Sequence, residues 1–114
     1  MIPRKKSAAS LMRKRARLLA RLPDLERLLR GSLVERYKKC GNPGCHCVES
    51  KGHGPAYYLS VTLGTGKTRS YYVSEKQKKR ILRYLGNHRK LRELTEEITR
   101  INRELLEQGE LDDG

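Results

Sequence analysis

The sequence predicts a small α+β domain: a Cys/His-rich knuckle with an antiparallel β-hairpin or three-stranded sheet, flanked by an N-terminal helix and a long, coiled-coil-like C-terminal helix. Three observations predict it. Leucines and isoleucines recur at three- and four-residue steps near both ends of the chain. Two stretches of strand-like residues between 56 and 73 flank a Gly-rich turn. Three cysteines and two histidines crowd positions 40–53. The organisation read from these is a basic N-terminal helical region (1–31), a knuckle and hairpin (32–74), a long helix (75–109) and a short tail (110–114).

At the N-terminus, Leu18, Leu22, Leu25 and Leu29 step by four, three and four, which predicts a helix over 8–29. Pro23 inside that span either kinks the helix or opens a second one, and Gly31 supplies a stop. Leu33 to Tyr37 alternates weakly and predicts a short strand.

The hairpin is the most strongly determined element. Ala56–Leu63 and Lys67–Val73 flank Gly64-Thr65-Gly66, the Gly content that a three-residue hairpin loop needs. Pairing around Thr65 sets Thr62 opposite Thr68, Ser60 opposite Ser70 and Tyr58 opposite Tyr72 on one face. The other face pairs Leu63 with Lys67, Val61 with Arg69, Leu59 with Tyr71 and Tyr57 with Val73. One face is thus largely apolar and the other rich in hydroxyls. A slip of one residue would scramble both.

Ser74 followed by Gln77 is a capping-box pattern that opens the last helix. Its second half carries Leu91, Leu94, Ile98, Ile101 and Leu105 at steps of three and four, two heptads of a coiled-coil seam. Gly86-Asn87 is a weak point where a bend or break is expected. The tail is expected to be disordered.

Composition bounds the function. The chain has 114 residues, with 26 Lys and Arg against 13 Asp and Glu, a net charge of +13. Hydrophobic residues make up 36%, with no Trp and no Phe, so a large catalytic core is not expected and a small core needs support from a metal or a coiled coil. No stretch approaches the roughly 18 apolar residues of a membrane span. Arg13, Lys14, Arg15 and Arg17 interrupt any secretory core, although an Arg-rich, acid-free start is also the composition of an organellar transit peptide.

The charge is concentrated. Residues 1–39 carry a net +10 and residues 75–92 a net +7, whereas residues 93–114 carry −6. In the last helix the cations lie at the front and the acids at the back, which opposes the helix dipole. A solvated charged face is the plain reading of such a run. Two separate acid-poor clusters point instead to a polyanion, with nucleic acid the expected partner.

Cys40, Cys45 and Cys47 stand in a C-x4-C-x-C pattern within a Gly/Pro-rich loop, with His53 six residues on. Three thiolates and one imidazole make a closed tetrahedral set for structural zinc. His46 competes for the fourth position. Free cysteines in a basic loop, or a Cys-x-Cys redox pair, are the alternatives. Three cysteines within eight residues fit a metal knuckle in a reducing compartment better than a disulfide framework.

Other chemistry is sparse. Gly64-Thr65-Gly66-Lys67-Thr68 has the ending of a phosphate-binding loop but sits in a hairpin turn. Residues 40–74 hold only Glu49 as an acid, too few for a carboxylate-based metal pair. No enzyme activity is expected.

Arg30-Gly31-Ser32-Leu33-Val34, Tyr37, Cys40-Gly41-x-Pro43-x-Cys45-x-Cys47, Gly52-His53-Gly54-Pro55 and Tyr57-Tyr58 resemble the motif of a family of small bacterial domains of unknown function, met in or beside transposable elements. The resemblance runs over about residues 30–105. It implies a bacterial, cytoplasmic setting in a mobile element. It favours His53 over His46 as the fourth ligand, because His53 belongs to the shared motif.

The expected function is therefore a zinc-stabilised nucleic-acid-binding protein, DNA being preferred over RNA through the mobile-element association. The candidate contacts are Arg13, Lys14, Arg15, Arg17, Lys67, Arg69, Lys76, Lys78, Lys79 and Arg83 for phosphates, with Tyr58 and Tyr72 on the hydroxyl face for a groove or for unstacked bases. Packing of those tyrosines under the N-terminal helix is an equal alternative. The competing function is a helical interaction subunit, pairing through Leu91, Leu94, Ile98, Ile101 and Leu105 with another copy or with a recombinase subunit. Pairing of that seam with the N-terminal leucines of the same chain is the simpler use for it.

Overall fold

A computed structural model describes residues 6–39, 41–44 and 52–114. Its elements run α1 (Ala8–Leu19), β1 (Ser32–Lys38), β2 (His53–Thr62), β3 (Thr68–Val73) and α2 (Glu75–Glu107). The α+β class is as expected, with a three-stranded antiparallel sheet in the order β1-β2-β3. The chain divides into two compact units, residues 28–86 and residues 1–27 with 87–114.

In the 28–86 unit, the hairpin register is the one the alternation predicts: Thr62 pairs with Thr68, Ser60 with Ser70, Tyr58 with Tyr72, Val61 with Arg69, Leu59 with Tyr71 and Tyr57 with Val73. The Leu63 amide donates to the Lys67 carbonyl at 2.7 Å and closes the turn. β1 adds to the other edge of β2, pairing Ser32 with Ser60, Leu33 with Leu59 and Val34 with Tyr58. Successive side chains of a strand point to opposite faces, so Leu33, Tyr57, Leu59, Val61 and Val73 share one face. The first turns of α2 cover it. Leu59, Val73 and Leu85 are buried there, with Leu29, Leu33, Tyr57, Val61 and Ile81 packed around them.

Gly31, expected to stop a helix, instead leads into β1. Its φ is +149°, and a β-carbon there would lie 2.7 Å from the Ser60 carbonyl oxygen. The close approach of β1 to β2 at this point admits only hydrogen.

In the other unit, α1 and the second half of α2 run antiparallel. Leu11 packs on Ile101 and Leu105, with Ala8, Met12 and Leu18 alongside. The Gln108 side-chain amide donates to the Lys6 carbonyl at 2.8 Å. The C-terminal seam is thus satisfied in part within its own chain. Leu94, Ile101 and Leu105 are buried, while Leu91 and Ile98 are half-buried.

Three local expectations are corrected. α1 ends at Leu19, not near residue 29. Pro23 has no amide hydrogen to give the Leu19 carbonyl, its partner four residues back, and its ring would clash with that carbonyl. The chain turns instead, and the Asp24 carboxylate accepts from the Glu26 amide and pairs with Arg27. Leu22 and Leu25, assigned to a helical seam, are exposed. α2 continues unbroken through Gly86-Asn87, with the Asn87 side chain donating to the Arg27 carbonyl at 3.0 Å. The tail is also held: Asp112 takes two hydrogen bonds from the Arg15 guanidinium.

At the front of α2, the Ser74 carbonyl accepts from the amides of Gln77 and Lys78. The Ser74 hydroxyl lies 3.4 Å from the Gln77 side-chain oxygen. The two residues of the expected capping box therefore meet, but through their side chains.

Candidate nucleic-acid interface

The strands and the first half of α2 distribute the candidate residues over both sides of the sheet. Tyr58 and Tyr72 pair across β2 and β3 on the face opposite α2. Their rings meet edge to face, with centroids 5.9 Å apart and planes at 73°. Tyr72 is 67% exposed, which removes packing under a helix as its role. Ser60, Ser70, Thr62 and Thr68 continue the face along the hairpin, and Ser32, Val34 and Arg36 extend it onto β1. The Arg36 guanidinium stands 4.8 Å from the Tyr58 ring centroid, a cation–π contact. No carboxylate shares this face among the described residues of the three strands.

Arg36 is absent from the sequence-based candidates. Its position depends on the β1–β2 register, and the long Cys-bearing connection between those strands gives no local turn from which to read it.

Arg69 is placed with the other face. It pairs with Val61, and its guanidinium lies 5.7 Å from the Tyr71 ring. Lys67 flanks the turn opposite Leu63. Neither joins the two tyrosines.

On α2, Lys78, Ile81 and Leu85 form the stripe turned toward the sheet. The Lys78 ammonium sits 3.8 Å from the Tyr57 ring centroid. Its polar contact with Tyr57 raises its pKa, with Glu75 and Glu35 adding to the effect. Lys76, Lys79, Arg80 and Arg83 fall on the other side of the helix and are exposed. Among the described residues, none of these four forms an ion pair with a carboxylate. Arg80 completes this stripe at helical spacing and was legible in the sequence, being one of the cations of the 75–92 cluster. The phosphate-binding candidates of α2 and the tyrosines therefore occupy opposite sides of the sheet.

In the other unit, the four N-terminal candidates also separate. Arg15 follows Leu11 by four residues and so shares its buried stripe. It donates to the Asn102 side chain at 2.7 Å and pairs with Asp112 at 2.8 Å. That hydrogen bond holds the Asp112 carboxyl below its ordinary pKa and raises Arg15. Lys14 lies 3.8 Å from Glu97. Arg13 and Arg17 are exposed, and Arg17 lines a shallow groove with Leu18, Arg21 and Glu97.

Of the metal candidates, Cys40, Cys45 and Cys47 lie outside the described residues, as does His46. His53 is described and opens β2 opposite Lys38. The neck of the Cys-bearing loop is narrow. A β-carbon on Gly52, whose φ is +112°, would meet the Lys38 carbonyl carbon at 2.8 Å and the Lys39 nitrogen at 3.0 Å. The neck thus sets His53 beside the strand that leads into the cysteines. Among the described residues, no group of three His, Cys, Asp or Glu side chains converges on a metal position. No described helix is long and apolar enough to cross a membrane.

Residues 9–83 match the family described as Domain of unknown function (DUF6788). No curated protein and no solved structure matches the chain.

Proposed function

Because the chain belongs to this family of domains of unknown function, whose description leaves the activity open, we propose from its own surface that it is a nucleic-acid-binding protein. The observation that carries this reading is the exposed stripe of Lys76, Lys79, Arg80 and Arg83 on the outer side of α2. Lys76 lies in the first turn of α2, where the helix dipole disfavours a cation, and none of the four pairs with a carboxylate among the described residues. An external polyanion gives the stripe a use. The 28–86 unit carries twelve basic and three acidic side chains, a net of +9, so long-range attraction acts in the same sense.

DNA is the preferred polymer, and an accessory role in a mobile genetic element the preferred setting, on the strength of the motif from Arg30 to Tyr58. Zinc held by Cys40, Cys45, Cys47 and His53 would stabilise the loop between β1 and β2. The spacing of the four residues supports that assignment, as does the narrow neck beside His53. The competing reading, a helical interaction subunit, has less support, because Leu11 of the same chain already packs on Ile101 and Leu105.

The test is a salt titration of DNA binding by the wild type and by a variant with Lys76, Lys79, Arg80 and Arg83 changed to Ala. Binding should weaken steeply with salt, and the variant should flatten the log–log slope by roughly one for each phosphate it no longer neutralises. Equal slopes and affinities would exclude the stripe.

A further inference from the structure

Resting on that reading, we propose that the open sheet face around Tyr72, Tyr58 and Arg36 stacks the unpaired bases of a single-stranded nucleic acid. α2 covers the opposite face, so these rings take no part in the core of this unit. Tyr72, on the edge strand β3, leaves two-thirds of its surface in water. Tyr58 braces it edge to face, and Arg36 stands over Tyr58 in turn. The result is a pair of rings on β2 and β3 set edge to face, with a guanidinium from β1 at one side and hydroxyls along the rest.

The chemistry selects the ligand. Charge complementarity favours a polyanion, because the face has a cation and no described carboxylate. Groove readout of a duplex goes mainly through side chains that make two hydrogen bonds to a base edge, typically Arg, Lys, Asn or Gln, and Arg36 on this face is engaged over the Tyr58 ring. Ser and Thr offer at most single hydrogen bonds to a base edge, and a duplex would meet the rings with its own bases already stacked inside. An unpaired base offers its π face to any ring, so stacking is tolerant of sequence. The exposed stripe of α2 faces away from this platform. A flexible strand can use the platform alone, whereas a rigid duplex bound to the stripe does not reach it.

The chain has no Trp, so Tyr72→Trp introduces a single reporter at the platform. The probes are an oligothymidylate, a blunt DNA duplex of equal length, and polyphosphate, which carries charge without bases. The oligothymidylate should quench the reporter strongly, and the duplex and polyphosphate should not. Tyr72→Leu should weaken oligothymidylate binding by about 5- to 150-fold, the range for removal of one stacked base. It should leave the salt slope and duplex binding unchanged, and Tyr72→Phe should retain wild-type affinity. Tyr72 is exposed, so circular dichroism of these variants should match the wild type.

Oligothymidylate binding that is indifferent to Tyr72→Leu, or quenching shared equally by polyphosphate, overturns the stacking platform. It leaves the phosphate reading standing if the α2 quadruple variant still loses affinity. Failure of the wild type to bind any of the three probes overturns both.

Discussion

The ammonium of Lys78 lies 3.8 Å from the centre of the Tyr57 ring, so one member of a basic cluster belongs to the helix–sheet contact and its neighbours do not. Lys78→Ala should therefore lower the melting temperature, while Lys79→Ala should leave it unchanged or slightly higher. The contact favours the protonated amine and raises its pKa. Its contribution is full at neutral pH and is lost only as pH rises through the raised Lys78 value. Thermal unfolding of both variants at pH 7 checks the contrast, and equal melting temperatures would remove Lys78 from the fold.

Arg15 and Asp112 should behave as a clasp on the tail. The folded carboxyl titrates below its ordinary value because Arg15 donates to it. Its stabilisation is complete above the unfolded carboxylate value of about 3.9 and disappears as pH falls through the lower, folded value. Asp112→Asn should remove that acid-dependent part and increase amide exchange in residues 110–114. Exchange as slow as in the wild type would show that Arg15 does not hold the tail.

Leu105 is wholly buried and touches Leu11. Leu105→Ala should cost about 2–5 kcal/mol, the usual range for such a cavity. Leu106→Ala, one residue on and 62% exposed, should change stability by less than about 0.5 kcal/mol. Denaturant unfolding of the two variants measures the difference.

Gly31→Ala should destabilise by roughly 1–3 kcal/mol, because a β-carbon is placed against the Ser60 carbonyl at a positive φ. Gly64→Ala should be far milder, since a β-carbon there meets no atom within 4 Å. A melting temperature for Gly31→Ala equal to wild type would show that β1 can draw back from β2.

One zinc per chain is expected, and chelation should unfold the β1–β2 connection. His53→Ala should weaken retention of the metal, whereas His46→Ala should not. Elemental analysis of protein purified without added metal, followed by unfolding with and without chelator, checks both statements.

Much of the fold was legible in the residues because the relevant forces are local. The turn at Gly64-Thr65-Gly66 and the two-residue alternation around it determine the β2–β3 register down to Tyr58 opposite Tyr72. The seven- and four-residue steps of Leu94, Ile101 and Leu105 mark the buried side of α2 before any partner is known. The end of α1 is the local exception: the leucine spacing runs on past residue 19, and Pro23 overrides it.

Partnership was not legible, because it is made across long stretches of chain. The sequence by itself determined the α+β class, the hairpin with its two unlike faces, the basic clusters and the Cys/His spacing. Only the tertiary structure decided that α2 covers the Leu59 face and leaves Tyr72 in water. It also decided that β1 brings Arg36 to Tyr58, and that Arg15 and Lys78 serve the fold while Lys79 and Arg83 face solvent. Alternation and spacing say which side chains share a face. The apolar pattern marks the Leu59 face as the one to be covered, but which helix covers it, and which strand is added at the edge, is decided by packing that no local pattern encodes.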